Sequence, residues 1–286
     1  ERDCYAMPNL QPVACGPLRG DERDLPATPS MRGSWAVSYG MPSKAPDTWR
    51  ADIAWTRAKL APEKILSVSV VGTVQEGWSI EQLADDYAQC ARWALESGAD
   101  CIETNFSCPN VSTCDGQLYQ QPAEAAAVAR RVREAIGPVP YIAKIGRIAR
   151  QPEAERLLDS LEGLVDALAM TNSIASTVVD ADGRRMFDGQ QRGICGDATR
   201  AASIAQTQML SDLVARRGDS MRMIGDGGFS TAQHVRDYLA AGAESVHIAS
   251  AAMVDPQVAV KIRRELATAS PAAVSVRDDD GRPAGR

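Results

Sequence analysis

A thiol stands between two carboxamides in the run Glu103-Thr104-Asn105-Phe106-Ser107-Cys108-Pro109-Asn110. An ionised cysteine can accept a proton, and amides on either side can hydrogen-bond a polar ring held against it. The preceding residues, Cys101 to Ser107, read as a strand, and Pro109 cannot continue a backbone ladder, so Cys108 falls at the strand's carboxyl end. In βα proteins active sites are built at that end. A lone cysteine is ordinarily a small buried hydrophobe. Asn105 and Asn110 are what turn this one toward acid–base chemistry.

Lys144 lies near the end of the apolar run Tyr141–Ile145. An ammonium there either snorkels to the rim or needs an anion beside it, because an unpaired buried charge is costly. The following run closes on Asn172 and Ser173, common turn residues that bring an amide and a hydroxyl to the same expected rim as Cys108 and Lys144. Gly193-Ile194-Cys195-Gly196 and Gly225-Asp226-Gly227-Gly228 each precede a predicted helix, where bare backbone N–H groups and the helix dipole suit a phosphate. Ala249-Ser250-Ala251, after the last predicted strand, would complete that cradle. Glycine pairs also make plain turns, so the weight lies in their order along the chain. Neither a GxGxxG nor a Walker lysine motif occurs.

These groups need a scaffold, and the pattern from residue 60 onward is successive βα units. Strands are predicted at Ile65–Val71, Cys101–Ser107, Tyr141–Ile145, Ala167–Asn172, Arg222–Gly225 and Ser245–Ala249. Helices are predicted near 80–97, 121–136, 151–162, 199–216, 230–241 and 255–268, on apolar spacings such as Leu83, Tyr87, Cys90, Ala91 and Ala94. The spacing is that of an α/β fold of the (β/α)8 barrel type, of which six strands are found and two are not. Residues 1–60 read as a loop-rich segment, with Pro8, Pro12, Pro17, Pro26 and Pro29 and a single strand, Ser34–Tyr39, as one arm of a hairpin. Residues 61–269 form the barrel units and 270–286 a flexible tail. The chain opens on Glu1 rather than Met, so the sequence is expected to start partway into a longer protein.

Composition excludes several classes of function. Thirty-one basic against 37 acidic residues give a net charge of −6 with no basic face, which argues against a nucleic-acid partner. No run of 18 apolar residues and no basic-then-apolar leader occurs, so neither a membrane span nor a signal peptide is expected and the cytoplasm is the expected compartment. The seven cysteines form no C-x-x-C pair, so no disulfide framework, zinc site or iron–sulfur site is signalled and no metal is expected. His234 and His247, in a predicted helix and a predicted strand, are poorly placed for a hydrolase triad.

From Ser34 to Pro256 the chain resembles the class 1 dihydroorotate dehydrogenases and the related dihydropyrimidine dehydrogenase domain, which are FMN-containing (β/α)8 barrels. Glu103–Asn110 matches the family's asparagine-x-serine-cysteine-proline-asparagine segment, a specific motif whose cysteine is the catalytic base. By that match Cys108 is the base and Asn105 and Asn110 contact the pyrimidine. Lys144 matches the lysine beside the flavin N1/O2 edge, and Asn172 and Ser173 match the pair at the substrate ring. Gly196, Gly227, Gly228, Ala249 and Ser250 fall where the FMN phosphate is held. Ser38–Ser43 resembles a substrate loop, but Val37 stands where that loop has an asparagine, and Ala249 replaces a usual glycine. A further family lysine, which contacts flavin and substrate, would lie before Glu1, as would the family's first two strands.

The resemblance implies an FMN-dependent oxidoreductase acting on the CH–CH bond of a dihydropyrimidine, oxidising dihydroorotate to orotate in pyrimidine biosynthesis. Two alternatives stay open, a dihydropyrimidine dehydrogenase-like reduction of uracil or thymine and a flavin-binding barrel without turnover. A homodimer, and an electron-transfer partner subunit, are the expected associations. A cysteine rather than a serine base points to the soluble class.

Overall fold

The computed structural model describes residues 10–13, 16–18, 24–28, 33–37, 43–73, 75–107 and 114–268. Cys108, Asn110, most of the Ser38–Ser43 loop and the 270–286 tail lie outside the described residues.

Strands β1 (Leu10–Val13), β2 (Leu25–Pro26) and β3 (Ser34–Val37) come first, followed by helix α1 (Pro46–Lys59). The βα alternation then begins with β4 (Ser67–Val70), α2 (Ile80–Glu96), β5 (Cys101–Asn105), α3 (Pro122–Ile136), β6 (Tyr141–Lys144), α4 (Gln151–Leu161) and β7 (Ala167–Met170). Three short strands intervene, β8 (Ile174–Ser176), β9 (Val178–Val179) and β10 (Arg192–Gly196). The chain resumes with α5 (Arg200–Arg217), β11 (Arg222–Asp226), α6 (Ala232–Ala240), β12 (Ser245–His247), α7 (Ser250–Val254) and α8 (Val258–Thr268).

Six strands pair in parallel in the order β12-β11-β7-β6-β5-β4. Each falls inside or within one residue of a predicted strand, β6 and β7 as the almost unbroken apolar runs of strands covered on both faces and β4 by alternation. Alternate side chains separate into two layers. Ile102, Tyr141, Ala143, Leu168, Met170 and Met223 pack outward against helix residues such as Tyr87, Val128, Leu157, Leu158 and Leu210. Cys101, Ile142, Ala167, Ala169 and Ile224 form a smaller cluster on the other face.

That second face is curled. Glu103 on β5 and His247 on β12 have three strands between them, yet their side chains meet at 3.6 Å. In a flat sheet four strand spacings would hold them about 19 Å apart. The described strands are therefore an arc of a βα barrel whose inner face closes on itself, open between β4 and β12.

Local chemistry accounts for the helices. Ser79 caps α2 in a reciprocal box with Gln82, and Gly98 at φ +109° lets the chain turn back toward β5. Pro122 opens α3, whose Ala125, Val128, Ala129, Val132 and Ile136 are buried.

The first 60 residues, read as loop-rich, contain the fourteen-residue α1. Its cues are Pro46 at the start, Asp47 in the first turn and Arg57 and Lys59 in the last. It buries only Ile53 and leaves Trp55 exposed, so it carries little of the apolar periodicity by which helices are read. Ser34–Val37 is also more than a hairpin arm. It is an inner strand of an antiparallel sheet ordered β1-β3-β10-β8, pairing with β10 more than 150 residues away.

Candidate active site

At the carboxyl ends of the parallel strands lies a cavity of about 580 Å³. Asn105, Lys144, Asn172, Ser173, Gly196, Gly227, Gly228, Ala249 and Ser250 all line it, nine of the eleven residues singled out from sequence. The other two, Cys108 and Asn110, are outside the described residues.

The amides fix the strand ends. Asn172 accepts a hydrogen bond from Lys144 Nζ and donates one from Nδ2 to the Ser107 carbonyl. Its backbone N–H donates to the Ile145 carbonyl at 3.1 Å. Ser107 N–H donates to Asn105 Oδ1 at 3.1 Å, and Ser107 itself is 1% exposed. The residue immediately before Cys108 is thus anchored by Asn105 of its own strand and by Asn172 from the end of β7, two strands away. One layer out, Ser203 Oγ donates to the carbonyls of Met170 (3.0 Å) and Asp226 (2.7 Å), tying the ends of β7 and β11 together. Buried Gln206 donates to the Gly146 carbonyl and accepts from Ile148 N–H, holding the turn after β6.

Lys144 does have the anionic partner its position demands, and it comes from the protein. Asp226 Oδ2 lies 3.5 Å from Lys144 Nζ, and both side chains are more than four-fifths buried. Burial pushes the Asp226 carboxyl up from the ordinary carboxylate range, while Lys144 and His247 pull it back down. A second couple lies beside it. Glu103, 6% exposed, accepts from Ser69 Oγ at 2.7 Å and faces His247 Nδ1 at 3.6 Å.

The antiparallel sheet supplies the opposite wall with Trp35, Val37 and Cys195. Trp35 is 4% exposed and its indole N–H, fully buried, has no hydrogen-bond acceptor among the described residues. A buried donor without a partner costs about 1–3 kcal/mol, which a ligand acceptor would relieve. Burial raises the Cys195 thiol, so this second cysteine is held toward its neutral form.

The glycines approach one another backbone to backbone. Gly196 (φ +89°), Gly227 (φ +122°) and Gly228 (φ +71°) have conformations that side chains rarely adopt. A Cβ on Gly228 would lie 2.4 Å from the Gly196 carbonyl, and one on Gly196 would lie 2.2 Å from the Gly33 carbonyl. Arg200 bonds Asp197 and donates to the Gly228 carbonyl at 3.3 Å, closing the outer side.

Sequence reasoning left Asp226, His247, Cys195 and Trp35 without a role. Asp226 was visible as the one charge in a glycine turn one residue past a buried strand. His247 and Trp35 gave no such signal, because what places them is curvature and long-range antiparallel pairing. Among the described residues no three His, Cys, Asp or Glu side chains gather as a metal site, and no helix is long and apolar enough to cross a membrane.

Residues 25–269 match a family model described as dihydroorotate dehydrogenase. The chain is similar to a dihydroorotate dehydrogenase of Dictyostelium discoideum, 29% identical over 78% of this chain and 61% of that protein. It is also similar to the catalytic subunit of a dihydroorotate dehydrogenase B (NAD(+)) of Desulforudis audaxviator, 30% identical over 65% of this chain and 59% of that one. A dihydroorotate dehydrogenase A (fumarate) of Lactobacillus helveticus is 28% identical over 64% of this chain and 58% of its own. The chain thus spans about six-tenths of the length of these relatives. In architecture it resembles the DHODH of Eimeria tenella solved with ferulenol, with a TM-score of 0.66 over 82% of this chain and 66% of that one at 17% identity. That likeness bears on the fold alone.

Proposed function

Because the chain belongs to the dihydroorotate dehydrogenase family, we propose that it binds FMN and removes two hydrogens across the C5–C6 bond of a dihydropyrimidine, converting dihydroorotate to orotate. The observation that carries the reading is the convergence of Asn105, Lys144, Asn172 and Ser173 with three close-packed glycines around one cavity.

The cavity's own chemistry fits FMN. Gly196, Gly227, Gly228, Ala249 and Ser250 are the residues for the phosphate, and Lys144 is the residue for the ring's N1/O2 edge. Trp35 adds a buried donor in need of an acceptor. When bound, FMN would supply the two-electron acceptor that no side chain provides. Asn105, Asn110, Asn172 and Ser173 hold the pyrimidine, and Cys108, as thiolate, takes the C5 proton. Exchange of electrons with a further acceptor falls to a partner subunit or a soluble molecule, and assays with fumarate and with an artificial dye would separate the two routes.

The test is an FMN titration of the purified chain, followed by anaerobic addition of dihydroorotate or dihydrouracil. Retained FMN that is bleached by dihydroorotate is the expected result. A folded chain that leaves FMN free in solution, or holds it without bleaching by either compound, overturns the reading.

Val37 lines this cavity with an aliphatic side chain. A hydrogen bond to a polar ring is worth about 0.5–1.5 kcal/mol, so Val37→Asn should lower the KM for dihydroorotate from a few-fold to about tenfold. Steady-state kinetics check this. An unchanged KM for dihydroorotate together with a raised one for dihydrouracil would instead assign the apolar wall to a neutral ring.

A further inference from the structure

We propose that Asp226 is a positioning residue for Lys144, a buried counter-charge that sets how much of the lysine's positive charge is available to a ligand in the cavity. The inference rests on the reading that this cavity holds FMN. Among the described residues Lys144 has two partners, the Asn172 amide oxygen and the Asp226 carboxylate, and they come from different strand ends. Asn172 is neutral and only orients the ammonium, whereas Asp226 cancels its charge. Asp226 is 8% exposed, and Lys144 Nζ is its ion-pair partner at 3.5 Å.

The neighbouring groups make this pairing specific. Glu103 from β5 accepts from Ser69 of β4 and faces His247 of β12, whose charge also reaches Asp226 but more weakly than that of Lys144. Cys195 from β10 is held neutral by burial and carries no compensating charge. Asp197 and Asp255, also in the cavity wall, are taken by Arg200 and Lys261. Lys144 and Asp226 are left as a couple. A buried pair in which each charge depends on the other responds strongly when one is removed.

Two consequences differ from those of a merely structural aspartate. With FMN bound, Asp226→Asn frees the lysine's charge, which favours the more negative, reduced ring. The ratio of affinities for reduced and oxidised FMN should rise about tenfold, which for two electrons is about 30 mV in the positive direction. In a Lys144→Met background the same substitution should move the ratio little, because burial favours the protonated form of a carboxylate that has lost its cation. Without FMN, Asp226→Asn should raise the rate of Lys144 acetylation by acetic anhydride several-fold, since an amine no longer held against a carboxylate is freer to meet the reagent.

The experiment measures both in the full chain, by dye-equilibrated potentials of bound FMN and by peptide mass spectrometry of the FMN-free protein. Asp226→Ser serves as a second variant should the amide fold poorly. Equal potential shifts with and without Lys144 would mean that Asp226 acts on the ring directly, and would overturn the proposal. Unchanged acetylation of Lys144 would overturn it as well. If the chain leaves FMN free while acetylation still responds, the FMN reading fails and the charge pairing stands.

Discussion

Cys108→Ala is expected to slow the reduction of bound FMN by dihydroorotate roughly 10²–10⁴-fold, the usual contribution of a positioned general base, while FMN affinity stays as it was. The separation of the two effects follows from the layout. Phosphate and ring are assigned to Gly196, Gly227, Gly228 and Lys144, on β10, β11 and β6, whereas Cys108 follows Ser107 beyond β5. Ser107 is buried and bonded at both its N–H and its carbonyl, so truncating the next side chain leaves the anchor in place. The pH dependence gives a second readout. A cysteine of ordinary pKa, about 8.5, is mostly protonated at neutral pH, so the rate should climb as pH rises through that value and level off above it. Rapid mixing of the FMN-loaded variant with dihydroorotate checks the first point. A reduction rate equal to the parent's would remove Cys108 from the mechanism.

How far such a site can be read in advance differs between its two halves. Lys144 and Asn172 close apolar runs, where a polar residue is conspicuous in sequence, and Asn105 closes a strand that Pro109 stops a few residues on. Their shared rim follows from parallel pairing alone. The wall opposite comes from β3 and β10, short strands joined across more than 150 residues, and no local pattern announces a pairing of that range. Trp35 and Val37 therefore reach the cavity through topology. Helix α1 escaped for the converse reason. Its proline and charge signals are local and present, but with Ile53 as its one buried residue it lacks the apolar stripe that distinguishes a helix from a charged loop. Asp226 falls between these cases. Its residue type and place at a buried strand end were legible, yet its partner could be named only once β6 and β11 were known to curl toward each other.

Gly196→Ala should have the largest effect on the fold of any single methyl addition around the cavity. At φ +89° an alanine is strained by about 1–2 kcal/mol, and its Cβ would meet backbone, the Gly33 carbonyl at 2.2 Å and Ser34 Cα at 3.0 Å. Backbone cannot swing aside as a side chain does. Relief would require β10 to move off β3, breaking a register that also positions Trp35 and Cys195. The Gly196 carbonyl would shift with it, and that carbonyl is what a Cβ on Gly228 would strike at 2.4 Å, so the two cradle glycines are set by one contact. Gly218 supplies the control, with φ +67° at the end of α5 and nothing within 4 Å of its Cβ position. Gly218→Ala should cost only the strain, about 1 kcal/mol. Gly196→Ala and Gly228→Ala should each cost several kcal/mol, in the range that marks a steric clash rather than propensity, and should weaken FMN binding in step. Urea denaturation of the three variants measures the first difference and FMN titration the second. Equal losses of stability across all three would show that the backbones around the cradle yield freely, and the assignment of these glycines to a close-packed phosphate site would fall with them.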